Sequence, residues 1–87
     1  MRDGSRTKVN PNRETELKRL VEADAHIADA ERALTEQLAQ VEALELAGQD
    51  TALAQRELAA FQETLAVLRD HRATIVQAIE RIDAGLT

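Results

Sequence analysis

Four residues, Ala47-Gly48-Gln49-Asp50, separate two long helical patterns and decide the fold. Gly48 favours the left-handed backbone conformation that ends many helices, and Asp50 is a residue type that caps the start of a helix. Because the stop and the start lie so close together, the second helix has to fold back along the first. The sequence therefore predicts an all-α fold, an antiparallel two-helix coiled-coil hairpin. One continuous helix through Gly48 stays open as an alternative, since a glycine costs only about 1 kcal/mol inside a helix.

The hairpin is expected to have a helix over 11–46, a turn over 47–50 and a helix over 51–84. Asn10 followed by Pro11 is typical of a helix start, because Asn caps free N–H groups and proline suits the first helical position.

The first ten residues carry three basic side chains and one acidic side chain and show no apolar period. We predict that residues 1–10 form a disordered basic tail.

Large apolar side chains recur at steps of three and four in both patterns, which is typical of a coiled-coil seam. The predicted interaction seam consists of Leu20, Ile27, Leu34, Val41, Leu58, Phe61, Leu65, Leu68, Ile75, Ile79 and Ile82. A second seam column in the first helix could contain Ala23 and Ala30, or Asp24 and Glu31. We favour the alanines, because they let a partner helix approach closely, whereas buried unpaired carboxylates are costly.

Arg72 interrupts the apolar period of the second helix. A short turn implies that facing positions have numbers that sum to about 97, so Asp24 is the natural partner of Arg72. Such a seam ion pair would penalise slipped registers more than it would add stability. The alternative is that Arg72 lies at the seam edge, with its aliphatic stem packed and its charged head in water. The same facing rule pairs Leu44 with Leu53.

His26 and His71 are the only histidines, and the facing rule places them at one level on the same flank. Glu22 lies one turn before His26, and two histidines with a carboxylate can bind zinc. Against this, nothing in the spacing fixes a ligand geometry, so two ordinary flanking histidines are the favoured interpretation. We predict no bound metal and no cofactor, and keep His26, His71 and Glu22 as candidate ligands for an alternative function, a metal- or ligand-responsive helical bundle.

Composition excludes several other classes of function. The net charge is −5, and the body of the chain is acidic, which argues against binding a nucleic acid backbone. There is no cysteine and no apolar stretch of membrane-spanning length. We find no pattern of catalytic residues, so we expect no enzyme and no catalytic site. The first residues lack the apolar centre of a secretory signal, and we expect a cytoplasmic protein without membrane or nucleic acid partners.

Self-association is expected, because a single two-helix hairpin buries only one stripe of each helix. Val21, Leu53 and Val67 lie outside the seam and widen the apolar surface. The sequence thus predicts a homodimer that forms a four-helix bundle, a structural or protein-interaction module that could also bind another protein.

The stretch at 48–52, the run Leu58-Ala59-Ala60-Phe61-Gln62-Glu63-Thr64-Leu65 and the sequence Arg69-Asp70-His71-Arg72 resemble a pattern in short uncharacterised proteobacterial helical-hairpin proteins. Those proteins also carry a pair like His26-Ile27 in their first helix. The resemblance covers about residues 17–80 and implies a bacterial helical protein. It implies no activity, cofactor or catalytic residue.

Overall fold

The computed structural model describes residues 10–85, and these residues form two long α-helices packed along each other. Helix α1 is Pro11–Leu46 and helix α2 is Ala52–Asp83. At 1.5 Å per residue the two helices are about 54 Å and 48 Å long. The predicted helical hairpin is confirmed, and the single continuous helix is wrong. The predicted basic tail lies, apart from Asn10, outside the described residues.

Helix α1 begins at the residue that the sequence predicted. The Asn10 side chain accepts hydrogen bonds from the backbone N–H groups of Asn12, at 2.8 Å, and Arg13, at 3.3 Å. These are two of the N–H groups that lack a partner within the helix. Pro11 occupies the first helical position, where its missing N–H costs nothing.

The turn ends α1 through a left-handed glycine and two paired hydrogen bonds. Gly48 has a φ of +69°, and its N–H donates to the carbonyl of Glu45 at 3.0 Å. The next N–H, from Gln49, donates to the carbonyl of Leu44 at 2.9 Å. This is a Schellman motif, which satisfies carbonyls that the helix end would otherwise leave free.

Helix α2 is one residue shorter at each end than predicted. Thr51 has φ −106° and ψ 3°, outside the helical range, so the helix begins at Ala52 rather than at 51. Thr51 is the N-cap residue, and Asp50 supplies the side-chain hydrogen bond, because its Oδ1 accepts the N–H of Ala52 at 2.9 Å. At the other end Gly85 has a φ of +76°, and Ala84 becomes the capping residue after Asp83.

All eleven predicted seam residues are buried or half-buried, and the core between the helices is thin. Its buried apolar members are Ala23, Val41, Ala54, Leu65, Ile75 and Ile79. The second column of α1 contains the alanines, since Ala23 is 3% exposed while Asp24 and Glu31 lie at the surface. Within residues 10–85 no large side chain is completely buried.

One expected seam contact is replaced by another residue. Leu53, which the facing rule places against Leu44, is 65% exposed. The neighbouring Ala54 takes the buried position at 5% exposure. A one-residue step rotates a helix by about 100°, so the shift moves Leu53 out to the side of α2.

Candidate interaction surfaces

The hairpin is two helices wide and has two broad faces. We name them by the side chains on either side of the seam. The ion-pair face contains Asp24 and Glu31, which follow the seam residues Leu20 and Ile27 by four positions. The histidine face contains His26, which precedes Ile27 by one position. In an antiparallel pair, equivalent flanks of the two helices lie together, so each face combines matching positions from α1 and α2.

Three salt bridges cross between the helices on the ion-pair face. They join Arg13 Nε to Asp83 Oδ1 at 2.7 Å, Arg72 Nε to Asp24 Oδ1 at 2.5 Å, and Arg69 Nη2 to Glu31 Oε2 at 3.0 Å. Between 42% and 58% of each side chain is exposed in the two pairs made by Arg69 and Arg72. Surface pairs of this kind contribute little stability, but three in a row favour one register.

Arg13 and Asp83 tie the far ends of the hairpin together. Arg13 donates a hydrogen bond to the Asp83 carboxylate, and this bond, followed by the negative charge of Asp83, raises the pKa of Arg13 above its ordinary value. Because folding raises the pKa of Arg13, any stabilisation from this pair is present at pH values below the pKa of Arg13 in the unfolded chain. It is lost only as the pH rises through the pKa of Arg13 in the folded chain. Arg13 therefore stays charged throughout the physiological pH range.

The structure brings Asp24 and Arg72 together, at the edge of the seam rather than within it. The Arg72 side chain is 42% exposed and that of Asp24 is 53% exposed. Both sequence interpretations of Arg72 thus describe part of the geometry: its stem is half-buried and its guanidinium pairs with the predicted carboxylate in contact with water.

The two histidines line one groove of about 390 Å³ on the histidine face. The buried side chains Ala23 and Ile75 form its apolar floor, and Glu22 lies beside His26 on its wall. Across residues 10–85, however, no three His, Cys, Asp or Glu side chains come together as a set that could hold a metal ion. The groove gathers the candidate ligands His26, His71 and Glu22 without forming a metal centre.

Gln37 is the one buried polar side chain among the described residues, and the sequence analysis did not single it out. It is 8% exposed, and its Nε2 donates to the carbonyl of Ala54 at 3.0 Å and to Glu57 Oε1 at 3.2 Å. These bonds hold the first turn of α2 against α1. Its position was visible in the sequence, seven residues after Ala30 in the favoured column.

The exposed apolar side chains do not form the single wide face that the sequence suggested. Val21 is 70% exposed on the α1 side of the ion-pair face, where Leu38 is 44% exposed. Leu53 and Val67, at 65% and 66%, lie on the α2 side of the histidine face. The exposed large apolar side chains of each broad face therefore lie along one of its two helices, although the half-buried Val76 adds to the α2 side of the ion-pair face.

No family model, no curated protein and no solved structure matches this chain. The resemblance to short proteobacterial proteins therefore stays a prediction. Neither helix of the described residues is long and apolar enough to cross a membrane. The geometry of the hairpin is thus the basis for assigning a function.

Proposed function

We propose that this chain is a structural, protein-interaction module, a helical hairpin that associates with a second copy of itself to form a four-helix bundle. The observation that carries this proposal is the combination of a thin core with large apolar side chains left at the surface. Leu53, Val67 and Val21 are each at least 65% exposed, although each could contribute roughly 1.5–3 kcal/mol if it were fully buried.

The two helices together are small enough for an additional source of stability to matter. Domains of fewer than about 70–80 residues usually depend on disulfides, a structural metal or oligomerisation. The two helices contain 36 and 32 residues, and the chain has no cysteine. Packing a second hairpin against the first supports both helices and covers apolar surface at the same time, which is why oligomerisation is the favoured solution.

Sedimentation equilibrium between about 1 and 100 µM tests the proposal. We expect the mass to approach twice the chain mass of 9.6 kDa as the concentration rises. A folded, fully helical species that keeps the mass of one chain at every concentration would rule the proposal out. Far-UV circular dichroism on the same samples separates a folded monomer from an unfolded one.

A second candidate function is a ligand-responsive bundle, and one observation favours it: His26 and His71 line the same groove. Imidazole groups are common ligands for zinc, and a bound zinc ion would link the two helices. If this function is right, a ten-fold excess of zinc raises the thermal midpoint of the wild type but not that of His26→Ala. An equal response of both proteins, or none, would exclude it.

A further inference from the structure

Helix α2 carries a second stripe beside the seam, on the histidine face. We call it the α2 stripe, and its members are Leu53, Glu57, Ala60, Thr64, Val67, His71, Thr74 and Ala78. The spacing alternates between four and three residues, which is the spacing of a coiled-coil seam. Seven of the eight side chains are exposed, and Ala78 is half-buried. The stripe thus has the spacing of a helix–helix contact, and α1 leaves most of it uncovered, although Glu57 accepts a hydrogen bond from Gln37 of α1.

Two grooves lie along this stripe, so its surface is not flat. Ala60, Thr64 and Val67 line a groove of about 520 Å³ at its centre, together with Glu63 and Leu68. Farther along α2, Thr74 and Ala78 line the groove that contains His26 and His71, which we call the histidine groove. The stripe has four small side chains, Ala60, Thr64, Thr74 and Ala78, and these leave room for side chains of a second helix to enter.

We propose that the α2 stripe packs antiparallel on the α2 stripe of a second copy, around a two-fold axis between Thr64 and Val67. This inference rests on the proposed self-association and names the surface that performs it. The eight positions are symmetric about that axis, so one register pairs all of them. It places Thr64 against Val67 at the centre and Leu53 against Ala78 at each end.

The end contact explains why a large exposed leucine and an apolar-floored groove occur on the same face of the hairpin. Leu53 of the second copy reaches the histidine groove beside Ala78, where Ala23 and Ile75 form the floor. Because the contact is two-fold symmetric, it occurs twice. The paired stretch spans about 26 residues, or roughly 38 Å of helix.

Charge favours the α2 stripe over the apolar side chains on the other face. On α1, the flank that contains Val21 and Leu38 also contains five acidic residues: Glu14, Asp24, Glu31, Glu42 and Glu45. Asp24 and Glu31 are paired with Arg72 and Arg69, whereas Glu14, Glu42 and Glu45 form no salt bridge among the described residues. Two copies packed through that flank would bring acidic side chains together. The α2 stripe has a single acidic member, Glu57, and the proposed register places it opposite Thr74 of the second copy. Contact between two copies is therefore electrostatically less unfavourable through the α2 stripe than through the α1 flank.

Cysteine cross-linking maps the surface directly, because the chain has no cysteine of its own. Thr64→Cys places two thiols close to the proposed axis, offset along the helices by about three residues, or roughly 4.5 Å. We expect a short bis-maleimide to link most Thr64→Cys chains into covalent dimers. Ala28→Cys is the matched control, since Ala28 is exposed on the opposite face. We expect it to stay almost entirely uncross-linked.

A pair of valine substitutions gives an independent measurement. Val67 and Val21 have the same side chain and similar exposure, 66% and 70%, but lie on opposite faces. We expect Val67→Glu to raise the dimer Kd at least 100-fold, and Val21→Glu to change it less than three-fold. Val21→Glu should keep wild-type helicity, and Val67→Glu should lose helicity only at concentrations at which it dissociates, because neither residue belongs to the core.

The outcomes distinguish this inference from the function on which it rests. If the wild type is a dimer but Ala28→Cys cross-links and Thr64→Cys does not, the α2 surface is wrong and the proposed function stands. The same conclusion follows if Val67→Glu leaves the Kd unchanged. A wild-type protein that stays monomeric would contradict both the proposed self-association and the α2 stripe as its surface.

Discussion

Replacing Arg72 by leucine should leave the stability of the hairpin unchanged or raise it. Arg72 occupies a seam position between Leu68 and Ile75, yet 42% of its side chain is exposed. A leucine there would bury a little more than half of its surface, worth about 1–1.5 kcal/mol of the 1.5–3 kcal/mol for complete burial. The lost ion pair with Asp24 opposes this by at most about 1 kcal/mol, because both partners are in contact with water. The net change should lie between zero and about 1.5 kcal/mol of stabilisation.

Urea unfolding followed by circular dichroism at one fixed protein concentration measures this change. The fixed concentration matters, because the proposed self-association would add to the apparent stability. Arg72→Ala is the comparison: it removes both the ion pair and the packed aliphatic stem, so it should be less stable than Arg72→Leu by about 1–2 kcal/mol. The double-mutant cycle with Asp24→Ala should give a coupling energy below about 1 kcal/mol. The reasoning is refuted if Arg72→Leu destabilises by more than about 2 kcal/mol while Asp24→Ala has no effect.

Substitutions at three further positions test individual parts of the hairpin by the same unfolding assay. Gln37→Ala should destabilise the hairpin by about 1–3 kcal/mol, since it leaves a cavity and removes a buried hydrogen bond. Gln37→Leu fills the space and should destabilise by less than about 1 kcal/mol. Equal destabilisation by both substitutions would show that packing does not matter at this position. Gly48→Ala should lower the stability of the hairpin by about 1–2 kcal/mol, because Gly48 has a φ of +69°. The cost comes from the backbone conformation alone, since an added Cβ would meet no described atom within 4 Å. An unchanged stability would contradict the left-handed turn. Asn10→Ala should cost about 1 kcal/mol through loss of the cap, and Asn10→Asp should retain most of that stability.

The architecture could be predicted because its signals are local. Asn10, Gly48 and Asp50 act within a few residues of their own positions, and each caps or ends a helix as its residue type predicts. The Asp24–Arg72 pair followed from the same information, since a short turn fixes which positions lie opposite each other. The ends of α2 differed from the prediction by one residue, because Thr51 and Ala84 adopt the capping geometry instead of joining the helix.

The surfaces were harder to predict, because they depend on the side of the seam to which each residue belongs. Val21 follows the seam residue Leu20, whereas Val67 precedes the seam residue Leu68, and this difference places them on opposite faces. A list of apolar residues outside the seam does not contain that distinction. Gln37 was missed for a related reason: the column predicted its burial, but a polar side chain requires a partner across the hairpin, and the carbonyl of Ala54 is visible only in three dimensions.

The central claim is that self-association completes the fold of the hairpin, and the concentration dependence of thermal unfolding tests it most directly. If two chains unfold together, a 100-fold rise in concentration contributes about 2.7 kcal/mol to the folded dimer. With an unfolding entropy of about 2.1 cal/mol/K per residue over two chains of 87 residues, the midpoint should rise by roughly 7–8 °C. Circular dichroism melts at about 2 and 200 µM give this value. A midpoint that stays constant across that range, with full helicity at the lower concentration, would contradict the claim and show that one hairpin is stable alone.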